Sequence, residues 1–167
     1  MDLKDFIRDV PDFPQKGILF RDITPILKKR TPSNSYRSHT TKMFELNFDT
    51  IVGVESRGFL FGAPLACAMG KSLCRSKEGK LPGDTFRLVI LWNTDQHPGN
   101  SCRRYRPGSR VLVIDDLLAT GGTIEATAEF VERSQGVVAG IGLVIELNGL
   151  GGRERLKKYD VFSLIQY

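Results

Sequence analysis

The run Val111-Leu112-Val113-Ile114-Asp115-Asp116-Leu117-Leu118-Ala119-Thr120-Gly121-Gly122-Thr123 constrains this chain more than any other stretch. Its four leading apolar residues, three of them β-branched, read as a strand buried on both faces, the kind found inside a parallel sheet. That strand is predicted to end on two adjacent carboxylates, whose burial is costly unless polar groups meet them. A small-residue turn follows and opens a helical pattern in which Ile124, Thr127, Ala128 and Val131 form one buried stripe. The start of such a helix offers backbone N–H groups and hydroxyls, which together make an anion site. Acids able to hold sugar hydroxyls, beside a cradle for phosphate, imply a phosphorylated sugar as ligand.

The rest of the chain repeats this alternation. Asp49 to Val54 reads as a buried strand that runs into Glu55-Ser56-Arg57-Gly58 and then a helix carrying Phe59, Ala63, Leu65 and Ala66. Gly136 is predicted to end the helix that follows the opening motif, and Val137 to Ile145 is a further apolar strand. Gly151 to Leu156 reads as a turn into a short helix, and Phe162 to Ile165 as a closing strand. Strands alternating with helices argue an α/β domain with a mainly parallel sheet flanked by helices. Ligands of such sheets sit at the carboxyl ends of the strands, where both Glu55–Gly58 and Asp115-Asp116 fall. The former loop combines a fixed cation, a hydroxyl and a glycine that lets backbone approach a ligand. Its Arg57 can fork onto pyrophosphate oxygens. Nearer the start, Val10 to Pro14 is stiffened by prolines and Gly17 to Ile23 reads as a short strand or loop. Thr24 is then expected to cap a helix with Pro25 at its first position.

Bulk properties narrow the class. A chain of 167 residues fits a single domain, and 41% apolar with 26% charged residues is ordinary for a soluble globular protein. No apolar run approaches the roughly 20 residues needed to span a bilayer, and Met1 to Asp5 lacks the features of a secretion signal. Cys67, Cys74 and Cys102 are odd in number and lack metal-like spacing, so a reducing cytoplasm is expected. The net charge of +5 is scattered rather than clustered, and small anionic substrates account for it as well as nucleic acid would. His39 and His97 have no neighbouring nucleophile and are too few for a histidine-rich metal site. Trp92, in the apolar stretch Leu88 to Trp92, is expected in a core or interface.

The opening run closely resembles the phosphoribosyl-pyrophosphate (PRPP) motif of type I phosphoribosyltransferases, and its Leu-Leu-Ala-Thr-Gly-Gly-Thr form is similar to that of the adenine phosphoribosyltransferases. The resemblance covers about three quarters of the chain. It implies a type I phosphoribosyltransferase fold in one domain over residues 1–167, with residues 1–30 as an N-terminal hood that recognises the base. Asp115 and Asp116 would bind the ribose hydroxyls, with Ala119, Thr120, Gly121, Gly122 and Thr123 wrapping the 5′-phosphate. Glu55, Ser56 and Arg57 would form the pyrophosphate loop, assisted by Lys77 and Lys80, and Asp115, Asp116 and Arg57 would be the catalytic residues. Gly17 to Thr24 resembles the base-recognition segment, with Phe20 stacking on a purine and backbone near Leu19 and Arg21 reading its edge. The implied reaction is adenine plus PRPP giving AMP and pyrophosphate, in purine salvage. Mg²⁺ would be held mainly through PRPP rather than by protein ligands, and the implied assembly is a homodimer without nucleic-acid or membrane partners.

Two segments depart from the family pattern. Around residues 30–47 the family carries an amphipathic helix, whereas Arg30 to Thr41 is polar and aperiodic. Around 86–106 the family carries a mobile loop with a glutamate and a tyrosine, neither of which has a counterpart in Arg87 to Pro98. The alternative reading is therefore a PRPP-binding regulator or inactive homologue. Permitted codons for Asp95 to Arg106, read one base later, give TSIREIHADAI, which resembles the family sequence before the strand. A similar shift across Ser35 to Lys42 gives the apolar-periodic IRIDHIRQK. Out-of-frame translation of both segments is the expectation; resequencing the DNA and finding these codons in an uninterrupted frame would sink it.

Overall fold

The computed structural model describes residues 3–28, 45–54, 56–81, 84–92 and 106–167, with backbone alone for 77–81 and 84–92. It comprises two compact units, Met1–Glu45 and Leu46–Tyr167. In the first, a 3-10 turn at Leu3–Phe6 precedes β1 (Arg8–Pro11) and β2 (Leu19–Asp22), which pair antiparallel with Val10 opposite Phe20. Helix α1 (Thr24–Lys28) follows. Its polar anchor is Asp22 rather than Thr24 alone: the buried carboxylate accepts from Thr24 N and Thr24 Oγ1, both at 2.9 Å, and from Arg8 at 2.6 Å. Those bonds, the Thr24 N–H first, hold the Asp22 carboxyl below the usual carboxylate range.

The second unit is a six-stranded sheet in the order β5-β4-β3-β6-β7-β8. Its strands are β3 (Thr50–Val54), β4 (Ser72–Leu81), β5 (Asp84–Trp92), β6 (Arg110–Leu118), β7 (Val137–Glu146) and β8 (Val161–Gln166). Every neighbouring pair is parallel except β4 with β5, so five strands form the parallel sheet expected from the sequence. Helix α2 (Arg57–Met69) follows β3, and α3 (Gly122–Arg133) follows β6.

Alternation along each strand sends side chains to opposite faces, and the two helices divide those faces. On α2, Gly62 lies against Ile51 and Leu73. Ile124 and Val131 of α3 join the cluster of Val52, Val54, Cys74, Val111 and Val113. All four residues of the expected α3 stripe, Ile124, Thr127, Ala128 and Val131, are buried.

One expectation is corrected. Strand β6 does not end on its carboxylates; it continues through Leu117 and Leu118, which pair with Ile145 and Glu146. The reason is that β7 runs on to Glu146 and supplies backbone partners past the acids. After α3 the left-handed residue is Gln135, at φ 66°, and Gly136 N–H closes back on Val131 O at 3.0 Å. Residues 84–92, in the segment that departs from the family, form β5, whereas 29–44 and 93–105 lie outside the described residues, as do His39, His97 and Cys102. No helix among the described residues is long and apolar enough to cross a membrane.

Candidate active site

Val54 ends β3, and one strand over, β6 carries Asp115 and Asp116 past the point where its pairing with β3 stops at Ile114. Their carboxylates, Arg57 and the turn Ala119–Thr123 line one cavity of about 240 Å³ at the carboxyl edge of the sheet. This is the place expected of a ligand site in an open α/β sheet.

Asp116 is buried, and its Oδ2 lies 3.1 Å from Arg57 Nε. The approach pairs the charges but is not aligned as a hydrogen bond, and Oδ2 has no hydrogen-bond partner among the described residues. Asp115 turns back on its own strand, where Oδ1 accepts from Asp116 N at 2.9 Å. Burial raises the pKa of both carboxyls. Asp115 is pushed up to about 8 by burial and then by the charge of Asp116, whereas Arg57 opposes the rise at Asp116. Near neutral pH Asp115 therefore keeps its proton, while the Arg57 guanidinium favours the charged form of Asp116.

The anion cradle is built from backbone. Gly121 stands at the N-cap of α3 with φ 80°, a left-handed conformation that favours glycine. No side chain caps this end, so the first N–H groups of α3 face the cavity edge without a side-chain acceptor. That is the electrostatic arrangement a phosphate takes.

Gly58 has a different reason to be glycine from the one its sequence context implied. A Cβ there would fall far inside 3.0 Å of Ile114 O, 3.0 Å from Asp115 Cα and 3.1 Å from Asp115 Oδ1. Its close approach is therefore to the strand that carries the acids. This packing brings the start of α2, and Arg57 with it, onto Asp116.

The remaining expected residues are less gathered. Ser56 stands exposed at the N-cap of α2 and makes no capping bond, and Glu55 lies outside the described residues. Lys77 and Lys80 lie on β4; the backbone of Lys77 follows Ser76, which pairs with Val54, and both side chains lie outside the description. Leu19, Phe20 and Arg21 lie on β2 in the first unit. Leu19 is exposed, Phe20 meets Phe13 edge-on at 5.2 Å, and Arg21 pairs with Asp9 across the ribbon.

Residues 23–166 match the phosphoribosyl transferase domain. An adenine phosphoribosyltransferase from Halothermothrix orenii is 44% identical over 99% of both chains. The chain belongs to the adenine phosphoribosyltransferase family. Among solved structures, the adenine phosphoribosyltransferase of Thermoanaerobacter pseudethanolicus superposes with a TM-score of 0.78 at 41% identity, covering 99% of this chain and 98% of that one. The enzyme from Saccharomyces cerevisiae, solved with adenine and D-2,5-dideoxy-2,5-imino-altritol 1,6-bisphosphate, gives 0.73 at 36% identity, covering 97% and 95%. Membership makes this chain a transferase with the type I fold.

What sequence reading missed is a set of residues behind the phosphoribosyltransferase cradle. Glu146, at the end of β7, is 2% exposed and takes Arg153 Nε at 2.5 Å, Ser163 Oγ at 2.6 Å and Gln166 Nε2 at 3.3 Å. Arg153 also reaches its second oxygen, completing a fork. The fork, more than burial opposes it, holds the Glu146 carboxyl below the usual range. An acidic residue directly following the apolar run Val137 to Ile145 was the available signal.

Proposed function

We propose that the chain transfers a phosphoribosyl group from PRPP to adenine, giving AMP and pyrophosphate. The observation that carries this is the convergence of Asp115, Asp116 and Arg57 with the uncapped glycine start of α3 on one cavity. Ala119–Thr123 take the 5′-phosphate on backbone N–H groups, and the two carboxylates accept the ribose hydroxyls. As the bond from ribose C1 to the diphosphate oxygen breaks, positive charge develops on the ring. Asp116 in its charged form stabilises it at short range in a desolvated site. A ring nitrogen of adenine forms the new bond to C1 and gives up its proton. Arg57, Lys77 and Lys80, with Glu55 and Ser56 of the same loop, attend the departing diphosphate.

Among the described residues no three His, Cys, Asp or Glu side chains converge on a point. Mg²⁺ would arrive on the diphosphate with its waters, as part of the substrate, and supply charge neutralisation there. The first unit, with Leu19, Phe20 and Arg21, supplies base recognition as a hood of one catalytic domain. A homodimer in the cytoplasm, working in purine salvage, completes the reading. No observation among the described residues favours a PRPP-binding regulator. Incubating the protein with PRPP, Mg²⁺ and adenine, with hypoxanthine and xanthine in parallel, is the direct test: AMP should form from adenine, and its absence would overturn the assignment.

The proton kept by Asp115 has a measurable consequence. Asp115 is held up to about 8 against an ordinary value of 3.8, so the folded protein binds a proton that the unfolded chain releases. Stability of the ligand-free protein therefore falls as pH rises from about 4 to about 8. Affinity for a sugar whose hydroxyls donate to the ionised carboxyl moves the other way. Ribose 5-phosphate, whose phosphate titrates near pH ~6, should bind more tightly at pH 9 than at pH 7. In Asp115→Asn that dependence should vanish and thermal stability at alkaline pH should rise. A pH-independent affinity in the unaltered protein would refute the proton on Asp115.

A further inference from the structure

The Ala119–Thr123 turn is backed by a second turn, the one that follows β7. Gly151, at φ 72°, leads into the short helix α4 (Gly152–Arg155), whose first residue is buried. A Cβ on Gly152 would fall far inside 3.0 Å of Ala119 O and within 2.8 Å of Leu118 Cδ1. In the same place Gly121 faces Gly152 O and Gly152 Cα, at 3.1 and 3.3 Å from where its own Cβ would stand. Backbone thus lies directly on backbone, with the buried Leu118 side chain packed beside it.

Both ends of α4 are tied. Arg153 forks onto buried Glu146, which pairs in register with Leu118, the residue just before the turn. Leu147 N donates to Leu118 O at 2.9 Å, so the start of both turns is fixed to one ladder. From the other end Arg155 reaches forward: its Nη1 lies 3.2 Å from Glu125 Oε2 in the first turn of α3, and 3.6 Å from where a Gly122 Cβ would stand.

We infer that Gly152, with the Glu146–Arg153 fork behind it and the Arg155–Glu125 pair in front, is a positioning element that sets the geometry of the 5′-phosphate cradle. This rests on the assignment of Ala119–Thr123 to that phosphate. None of these residues needs to touch the substrate. They fix where the amides of Gly121–Thr123 stand, and backbone donors lose their grip when displaced by about 1 Å.

The test uses two probes that divide the substrate, ribose 5-phosphate and pyrophosphate, titrated calorimetrically into the full chain. The unaltered protein should bind both. In Gly152→Ala, ribose 5-phosphate should weaken about tenfold, while pyrophosphate, held at Arg57, should change by less than about twofold. A parallel loss of both probes, or no loss of either, would overturn the inference. Should Gly152→Ala fail to fold, Glu125→Ala decides. Removing a carboxylate beside an anion site should tighten ribose 5-phosphate by simple electrostatics, whereas loss of positioning should weaken it about threefold. Tightening or no change counts against positioning. If the unaltered protein binds no ribose 5-phosphate, the phosphate assignment itself fails, and the positioning role with it.

Discussion

Gly58→Ala is expected to reduce kcat/KM for transfer by about a hundredfold, far more than substitution of an exposed residue at the cavity rim. The new methyl would press on Ile114 O and on Asp115 Cα. Neither can yield cheaply: Ile114 pairs with Gly53 of β3 on one side and Gly142 of β7 on the other. The start of α2 must therefore retreat, and Arg57 with it, opening the 3.1 Å approach to Asp116. Overpacking of this kind costs about 1–3 kcal/mol, or roughly 2–10 °C in Tm for a chain of this size. A folded variant can thus be assayed below its transition. Steady-state rates alongside thermal melts make the check, and an unchanged rate in the folded variant would show that α2 tolerates the displacement.

Asp116→Asn is the second large effect. The substitution keeps the volume and removes the charge, so packing survives while Arg57 loses its carboxylate partner. The anion nearest the developing positive charge is gone, and turnover should fall at least about tenfold. A second signature distinguishes this from simple damage. The charge of Asp116 is one of the causes holding the Asp115 carboxyl high, burial being the larger. With that charge removed, Asp115 should release its proton at lower pH, and the remaining activity should reach its plateau at a more acidic pH. Rates measured across pH 6 to 9 would reveal both. Equal turnover by the two proteins would remove Asp116 from the mechanism.

Much of this site was legible in the sequence because it is local. Periodicity placed Ile124, Thr127, Ala128 and Val131 on one buried face, and the strand, the acids and the glycine turn are contiguous. Illegible were the contacts made by residues without side chains. Gly58 meets Ile114 and Asp115, and Gly152 meets Ala119, across sequence separations that leave no periodic trace. Glu146 directly follows the apolar run Val137 to Ile145, yet it is buried because Arg153, Ser163 and Gln166 arrive from later elements.

The placement of Asp115 and Asp116 within β6, rather than after it, bears on how the molecule opens. β6 is laddered on both sides for much of its length, by β3 through Ile114 and by β7 through Leu118, and most of its side chains are buried. Amides so placed belong to the class that exchanges with solvent only when the whole domain unfolds. The two acids directly follow that doubly laddered stretch and stay paired to β7, while the cradle beside them hangs on a four-residue helix tied by its two arginines. Under mild destabilisation the grip on phosphate should loosen while the spacing of the carboxylates survives, so that substrate capture is lost before the catalytic pair is.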